Sequence, residues 1–207
     1  MKRFLIISLL FFIIVSCSLP TTKGYLEQGV QKKTIENIYF SNEKTDYVYK
    51  AKVEIFNKKF GGLFIIKKTG VEQHRIVFTT EFGNKMFDFS IDKGSFKVNY
   101  IADELNKKAV LNTLQNDFSI LVSQNRKVTK QFDANKEVIY KSSYDKDYDL
   151  YYFFLKENQQ LFKIVKSSRT KEKVTINFLE YKNEIGTKID IIHQSFKLKI
   201  HLNYIGN

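Results

Sequence analysis

The sequence of 207 residues predicts a mainly β fold, in which one curled antiparallel sheet, or half-open β-barrel, of about 10–11 strands is covered by one long helix. Three observations support this prediction. Apolar and polar residues alternate with a period of two over most of the chain, as expected for strands with one buried face. Short turns separate these segments, which favours antiparallel hairpins. One internal stretch has helical spacing instead.

The first half of the predicted domain contains strands joined by short hairpins. In the first strand, the apolar residues Tyr47, Tyr49, Ala51, Val53 and Ile55 alternate with mostly polar neighbours. The strands that follow are expected over 62–68, 74–80, 87–91 and 96–100, and Gly or Asn marks the turns between them.

The segment 103–124 changes from the period of a strand to that of a helix. Leu105, Ala109, Leu114 and Phe118 form an apolar stripe at helical spacing, and no Gly or Pro interrupts it. We therefore expect a helix over 105–123 across the concave side of the sheet. The weak pattern of 18–42 predicts a tether and allows a short N-terminal helix near Gln28 to Tyr39.

The second half of the domain returns to alternating strands. The clearest is 195–205, in which the apolar residues from Phe196 to Tyr204 share one face and Lys, His and Asn share the other. Further strands are expected over 137–142, 150–156, 160–167, 172–181 and 187–193. The region 43–207 is thus expected to be a single domain with a sizeable core.

The first 16 residues have the features of an export signal. Lys2 and Arg3 precede an apolar run that is too short for a comfortable membrane span. The run ends in Val15-Ser16-Cys17, which resembles the lipobox of bacterial lipoproteins. This resemblance implies a signal peptide over 1–16, a diacylglyceryl and N-acyl (for example palmitate) anchor on Cys17, and a tether over 17–42. A plain signal peptide or an uncleaved anchor is the alternative.

The net charge limits the classes of binding partner, and the cysteine content limits how the domain can be stabilised. The formal net charge is +12, which suits anionic lipid, an acidic protein or nucleic acid. Nucleic acid is not expected, because the chain has an export signal and lacks a dense basic run. Lysines scattered over solvated strand faces explain the charge equally well. Cys17 is the only cysteine, so an exported domain must rely on its packed core rather than on disulfides.

Residues with catalytic or ligand chemistry are dispersed along the chain. His74, His193 and His201 lie in strand patterns without Cys, Asp or Glu at ligand spacing, so we expect them on strand surfaces. The acidic run 145–149 lacks the Gly and the bidentate Glu of a calcium loop. No enzymatic activity, metal or cofactor is therefore expected, although distant side chains can still converge on a catalytic site.

The aromatic content is the feature of the composition that points towards a function, with 19 Phe, 12 Tyr and no Trp. A curled sheet with one helix either has an aromatic-rich filled core or encloses an apolar cavity, and such a cavity suits acyl chains. Strand and helix periodicity select the candidate lining, which is Ile76, Phe78, Phe87, Phe89, Val98, Leu114, Phe118, Ile176, Phe178, Leu198 and Ile200.

Phe82 stands at the tip of the predicted turn Glu81-Phe82-Gly83-Asn84, where water is the expected neighbour. Its ring would gain about 1.5–3 kcal/mol if it were fully buried in an apolar medium such as a membrane. The alternative is that the ring folds back onto its own sheet.

The stretch 62–98, with the helix that follows, resembles the core of LolB, an outer-membrane lipoprotein receptor, and of its soluble relative LolA. In that family the turn that matches Phe82 and Gly83 carries an exposed leucine that helps release lipoprotein into the membrane. The resemblance implies a membrane-insertion loop at Phe82 and Gly83. It further implies a monomer that receives acylated lipoproteins from a LolA-like periplasmic carrier.

The segment Ser18 to Thr22 lacks the Asp that follows the cysteine in lipoproteins retained at the inner membrane. By resemblance, we expect an anchor in the outer membrane, facing the periplasm and contacting its lipid. Two other function classes stay open. One is a structural or interaction lipoprotein with a filled core that serves an outer-membrane assembly. The other is a hydrolase, which would need His and carboxylate side chains converging in a cleft.

Overall fold

The computed structural model describes residues 20–206. After a 3-10 turn at Pro20–Thr22, this range contains one α-helix, α1 (Lys108–Val122), and fifteen strands. The strands are β1 (Leu26–Gln28), β2 (Thr34–Glu36), β3 (Asp46–Ile55), β4 (Lys58–Gly70), β5 (Gln73–Thr80), β6 (Lys85–Asp92), β7 (Ser95–Ile101), β8 (Asn125–Lys127), β9 (Lys130–Asp133), β10 (Glu137–Ser143), β11 (Asp149–Leu155), β12 (Leu161–Ser167), β13 (Glu172–Lys182), β14 (Ile185–His193) and β15 (Leu198–Tyr204).

The expected signal peptide over 1–16 and the expected lipid anchor at Cys17 lie outside the described residues. Among the residues that are described, no helix is both long enough and apolar enough to cross a membrane.

Thirteen strands form one sheet in the order β1-β9-β10-β11-β12-β13-β14-β15-β3-β4-β5-β6-β7, and β2 and β8 form a second, two-stranded sheet. Neighbouring strands pair antiparallel, mostly through short hairpins between consecutive strands. The last strand, β15, pairs with β3 from Leu198–Ile55 to Tyr204–Tyr49 and so joins the two halves of the chain. The predicted fold class, a curled antiparallel sheet with one long helix, is confirmed, but the large sheet has thirteen strands rather than the expected 10–11.

The main core lies on one face of the large sheet, and a smaller apolar cluster of Ile139, Tyr151, Phe153 and Val165 is separate from it. In β3, Tyr47, Tyr49, Ala51, Val53 and Ile55 are all buried, whereas their neighbours are exposed or half-buried. The same alternation occurs in β15. A large apolar side chain such as Val53 or Ile55 contributes about 1.5–3 kcal/mol on full burial. This burial fixes the register, because a shift by one residue would expose the whole row.

Helix α1 begins three residues later and ends one residue earlier than the predicted span 105–123. Residues 102–106 form a turn instead, in which the Leu105 N–H donates to the Ala102 carbonyl at 2.9 Å. The buried side chains Val110, Leu114, Phe118 and Leu121 recur every three or four residues and face the sheet.

From Pro20 onward, the segment expected to be a tether is part of the folded domain. β1 pairs with β9, and β2 pairs with β8. Ile35, Tyr39 and Phe40 are buried in the main core. The short helix allowed near Gln28 to Tyr39 is wrong, since β2 lies there. Strands of three residues are too short to show a period, and their partners lie about a hundred residues away, so the sequence pattern does not reveal them.

Candidate functional site

The predicted lining residues meet in one place, with one exception. Those on β5, β6, α1, β13 and β15 belong to a single hydrophobic cluster, and each is at most 3% exposed. They are Ile76, Phe78, Phe87, Phe89, Leu114, Phe118, Ile176, Phe178, Leu198 and Ile200. The alternation in the strands and the stripe on the helix thus select side chains that face one another across the sheet–helix interface.

Aromatic rings fill the side of this interface formed by β4, β5 and β6. Here we define the phenylalanine cluster as Phe64, Phe78, Phe87, Phe89 and Phe118. The Phe118 ring of α1 lies 5.3 Å from Phe64 and 5.5 Å from Phe87, between ring centroids. Phe87 and Phe89 stack at 4.7 Å. The interior at this position is closed in the structure, because the rings occupy the space between helix and sheet.

Phe64 was missed as a lining residue, although it lies within the predicted strand 62–68. Phe64 and Ile66 occupy alternate positions of β4, and this alternation would have predicted that they share a buried face. Both side chains are completely buried.

Val98 does not join the cluster and is a correction to the predicted lining. It pairs with Phe89 but is 37% exposed. β7 is an edge strand of the sheet, so it has a neighbouring strand on one side only. A bulge between Asp88 and Phe89 also shifts the register of this pair. Alternation alone does not distinguish an edge strand from a central one.

The turn between β5 and β6 projects Phe82 into solvent, with 93% of its surface exposed. The backbone of the turn is closed by hydrogen bonds from the Thr80 N–H to the Asn84 carbonyl and from the Gly83 N–H to the Thr80 carbonyl, both at 2.9 Å. Gly83 adopts φ +82°, a conformation that L side chains rarely adopt. Of the two alternatives for Phe82, the structure thus has the ring outside its own sheet.

A partly buried polar network joins α1 to β12, β14 and the segment that follows β10. His193 Nε2 on β14 lies 2.7 Å from Asp117 Oδ2. The amide oxygen of Asn116 accepts from the Tyr144 hydroxyl at 2.8 Å and from Lys166 Nζ at 3.2 Å. Burial raises the pKa of the Asp117 carboxyl, which His193 opposes. Burial also lowers the pKa of the Lys166 ammonium group.

The contacts of the histidines correct the expectation that all three lie on strand surfaces. His193 meets a carboxylate 76 residues away in sequence. His74 is buried, and its Nε2 lies 3.0 Å from the Phe40 carbonyl. His201 Nδ1 lies 2.8 Å from Asp190 Oδ1 on the neighbouring strand. Apart from that cross-strand pair, these contacts join residues that are distant in sequence, so local sequence does not encode them.

Within residues 20–206, no group of three or more His, Cys, Asp or Glu side chains has metal-site geometry. His193 lines a groove together with Ser195 and Phe196. Its Nε2 is occupied by the carboxylate of α1, so the contact connects helix and sheet.

Comparison with known proteins identifies the fold. No family model and no curated protein matches the chain. Among solved structures, the LolA superfamily protein NE2245 from Nitrosomonas europaea matches with a TM-score of 0.51 at 9% identity, over 82% of this chain and 87% of that chain. A DUF1329 family protein from Desulfovibrio piger ATCC 29098 has a TM-score of 0.40 at 7% identity, over 77% of this chain and 83% of that chain. The chain is therefore similar in fold to a protein of the LolA superfamily.

Proposed function

We propose that this protein binds the acyl chains of lipoproteins or lipids between its sheet and α1 and delivers them to the outer membrane. No covalent bond is made or broken in this role. Cys17 carries the lipid anchor, the domain faces the periplasm, and a LolA-like carrier supplies the cargo, as the resemblance to LolB implies. The similarity in fold to a LolA superfamily protein supports the architecture that such a role requires.

The exposure of Phe82 is the observation that carries this proposal. An aromatic ring that is 93% exposed contributes little to the folded domain in water, but it gains about 1.5–3 kcal/mol when a bilayer buries it. The turn beneath it is held by backbone hydrogen bonds, so the ring projects from a defined support. Phe82 and Gly83 thus form the insertion loop.

Acyl binding requires that the phenylalanine cluster opens. Helix α1 contributes Phe118 to that cluster and is held to the large sheet by side-chain contacts rather than by strand pairing. Displacement of α1 therefore exposes the concave face of the large sheet without breaking a strand pair within that sheet. The buried side chains of that face then become the lining of an acyl cavity.

Transfer of cargo tests the proposal. A soluble form lacking 1–17 retains the described strands and the core, so it can be mixed with a carrier that holds an acylated lipoprotein. We expect native mass spectrometry to show the cargo on this form, and on its Phe82→Glu variant as well.

With the anchored protein, Phe82→Glu should reduce delivery to lipid vesicles roughly tenfold, because the burial energy of the ring is lost.

Val71→Glu is the matched control for this substitution. Val71 is also an exposed apolar residue in a hairpin turn, but it lies at the opposite end of the sheet. An equal loss of delivery in both variants would contradict an insertion role for Phe82.

A second function is favoured by the closed interior. The contacts within the phenylalanine cluster suit a structural or interaction lipoprotein of an outer-membrane assembly, with a filled core and no acyl cargo. The same experiment separates the two functions. If no cargo moves to the soluble form and no lipid is retained from expression, the interaction protein is the better assignment.

A further inference from the structure

Two hairpin turns and the start of α1 lie at the same end of the large sheet. β3 ends at Ile55, which pairs with Lys58, and β5 ends at Thr80, which pairs with Gly62 on the same strand β4. The β3–β4 turn at Phe56 and the Phe82 turn therefore share this end. A groove of about 510 Å³ lies here between the β3–β4 turn and the segment that leads into α1. We call it the Phe56 groove.

The floor of the Phe56 groove is apolar and continuous with the core. Ile55 and Leu105 line the groove and are also members of the main core cluster, and Phe60 packs against that cluster. Because Leu105 and Lys107 belong to the segment that leads into α1, the groove lies next to the first turn of the helix, where the helix meets the sheet.

Phe56 forms a wall of the groove in a costly backbone conformation. Its φ of 53° is left-handed, where a turn ordinarily uses Gly or Asn, and this conformation costs a bulky residue about 1–2 kcal/mol. Its N–H donates to the Lys197 carbonyl at 2.7 Å, and its ring meets the edge of Phe196 at 5.2 Å. The ring nevertheless remains 47% exposed, so an apolar surface is held open to solvent.

The rim of the groove is cationic. Lys58 and Lys107 line it, together with the single acid Glu104. Among the described residues, no carboxylate lies within 4 Å of either Lys58 Nζ or Lys107 Nζ, so both ammonium groups are available to a ligand. An apolar floor below a positively charged rim complements an amphiphile with one apolar chain and a negative head.

We propose that the Phe56 groove binds one acyl chain of an anionic lipid, with the chain against Phe56 and Phe60 and the head between Lys58 and Lys107. This site rests on the proposed acyl-binding function and names the point at which a chain enters beneath α1. It places a second lipid contact at the end of the sheet that carries Phe82.

A single tryptophan tests the site, because the natural chain contains none. The full chain with Phe56→Trp is titrated with a long-chain fatty acid brominated in mid-chain, whose bromines quench a nearby indole. We expect saturable quenching of Trp fluorescence. Lys58→Glu combined with Lys107→Glu should weaken the binding roughly tenfold, since both head-group cations are reversed. A brominated long-chain alcohol, which lacks the charge, should respond little to these substitutions.

Two controls match these variants. Val71→Trp places the indole in an exposed turn at the other end of the sheet and should not be quenched. Lys59→Glu makes the same charge change next to Lys58, at a residue that does not line the groove, and should leave the affinity unchanged.

The outcomes separate this site from the proposed function. Absence of saturable quenching at residue 56, or binding that is indifferent to the double charge reversal, overturns the Phe56 groove as an anionic lipid site. If cargo transfer still occurs in that case, the proposed function stands without it. Saturable, charge-dependent quenching without any cargo transfer retains the groove and removes the transfer function.

Discussion

Asp88 stabilises the hairpin that carries Phe82, on the face of β6 opposite Phe87 and Phe89. Its side chain is only 3% exposed and accepts hydrogen bonds from Arg75 Nε and Nη2 at 3.0 and 2.7 Å and from Asn99 Nδ2 at 3.1 Å. The Arg75 hydrogen bond is the largest cause that lowers the pKa of Asp88, to about 2. A carboxylate held in this way stabilises the folded state in its ionised form.

The free energy of unfolding should therefore depend on pH through Asp88. Because its pKa is lower in the folded than in the unfolded state, the stabilisation is fully present above pH about 4 and is lost as the pH falls through about 2. We expect Asp88→Asn to cost about 2 kcal/mol at neutral pH and little near pH 2, in denaturant titrations at each pH. Asp92→Asn, at an exposed carboxylate on the same strand, is the control. A difference between wild type and Asp88→Asn that does not change with pH would contradict this account.

At the scale of the element, α1 has two unlike contacts with the sheet. Leu114 and Phe118 pack into the main core, and the neighbouring Asn116 and Asp117 join the partly buried polar network. Apolar contacts are not directional, whereas the bond between Asp117 and His193 fixes the position of the helix along the sheet. The proposed opening must break this bond before Phe118 can leave.

Asp117→Ala should therefore loosen α1 selectively. A lost hydrogen bond to a charged or buried partner costs about 1.5–3 kcal/mol, so amide hydrogen exchange over residues 108–122 should accelerate at least tenfold, while exchange in the central strands changes less. Asn112→Ala, at an exposed position of the same helix, should leave exchange unchanged. Equal acceleration throughout the sheet would mean that α1 opens only when the whole domain unfolds, and cargo entry by helix displacement would lose its support.

At the scale of the whole molecule, the sequence predicts the features that follow from periodic apolar patterns. It misses the features that depend on which distant strands pair. Alternation in β3 and β15 predicts the buried faces, and the stripe through Leu114 and Phe118 predicts the helix face. Most of the candidate lining follows from these periods. The pairing of β1 with β9, the contact of His193 with Asp117 and the exposure of Val98 do not, because each depends on which distant strand becomes a neighbour or an edge.

The closure by β15 predicts that both halves of the sheet unfold together. β15 is the last strand in sequence, but it pairs with β3, the first long strand, and Leu202 on its inner face is completely buried. Leu202→Ala should lower the free energy of unfolding by about 2–5 kcal/mol, through lost burial and the cavity left behind.

Because the chain contains no Trp, single reporters can be placed at half-exposed tyrosines, with Tyr100→Trp on β7 in one half and Tyr181→Trp on β13 in the other. Both reporters should show one coincident denaturant transition, and Leu202→Ala should shift both midpoints equally. Asn203→Ala, at the neighbouring exposed position of β15, should shift neither. Separate transitions for the two reporters would show that the halves fold independently and that β15 does not make one domain of them.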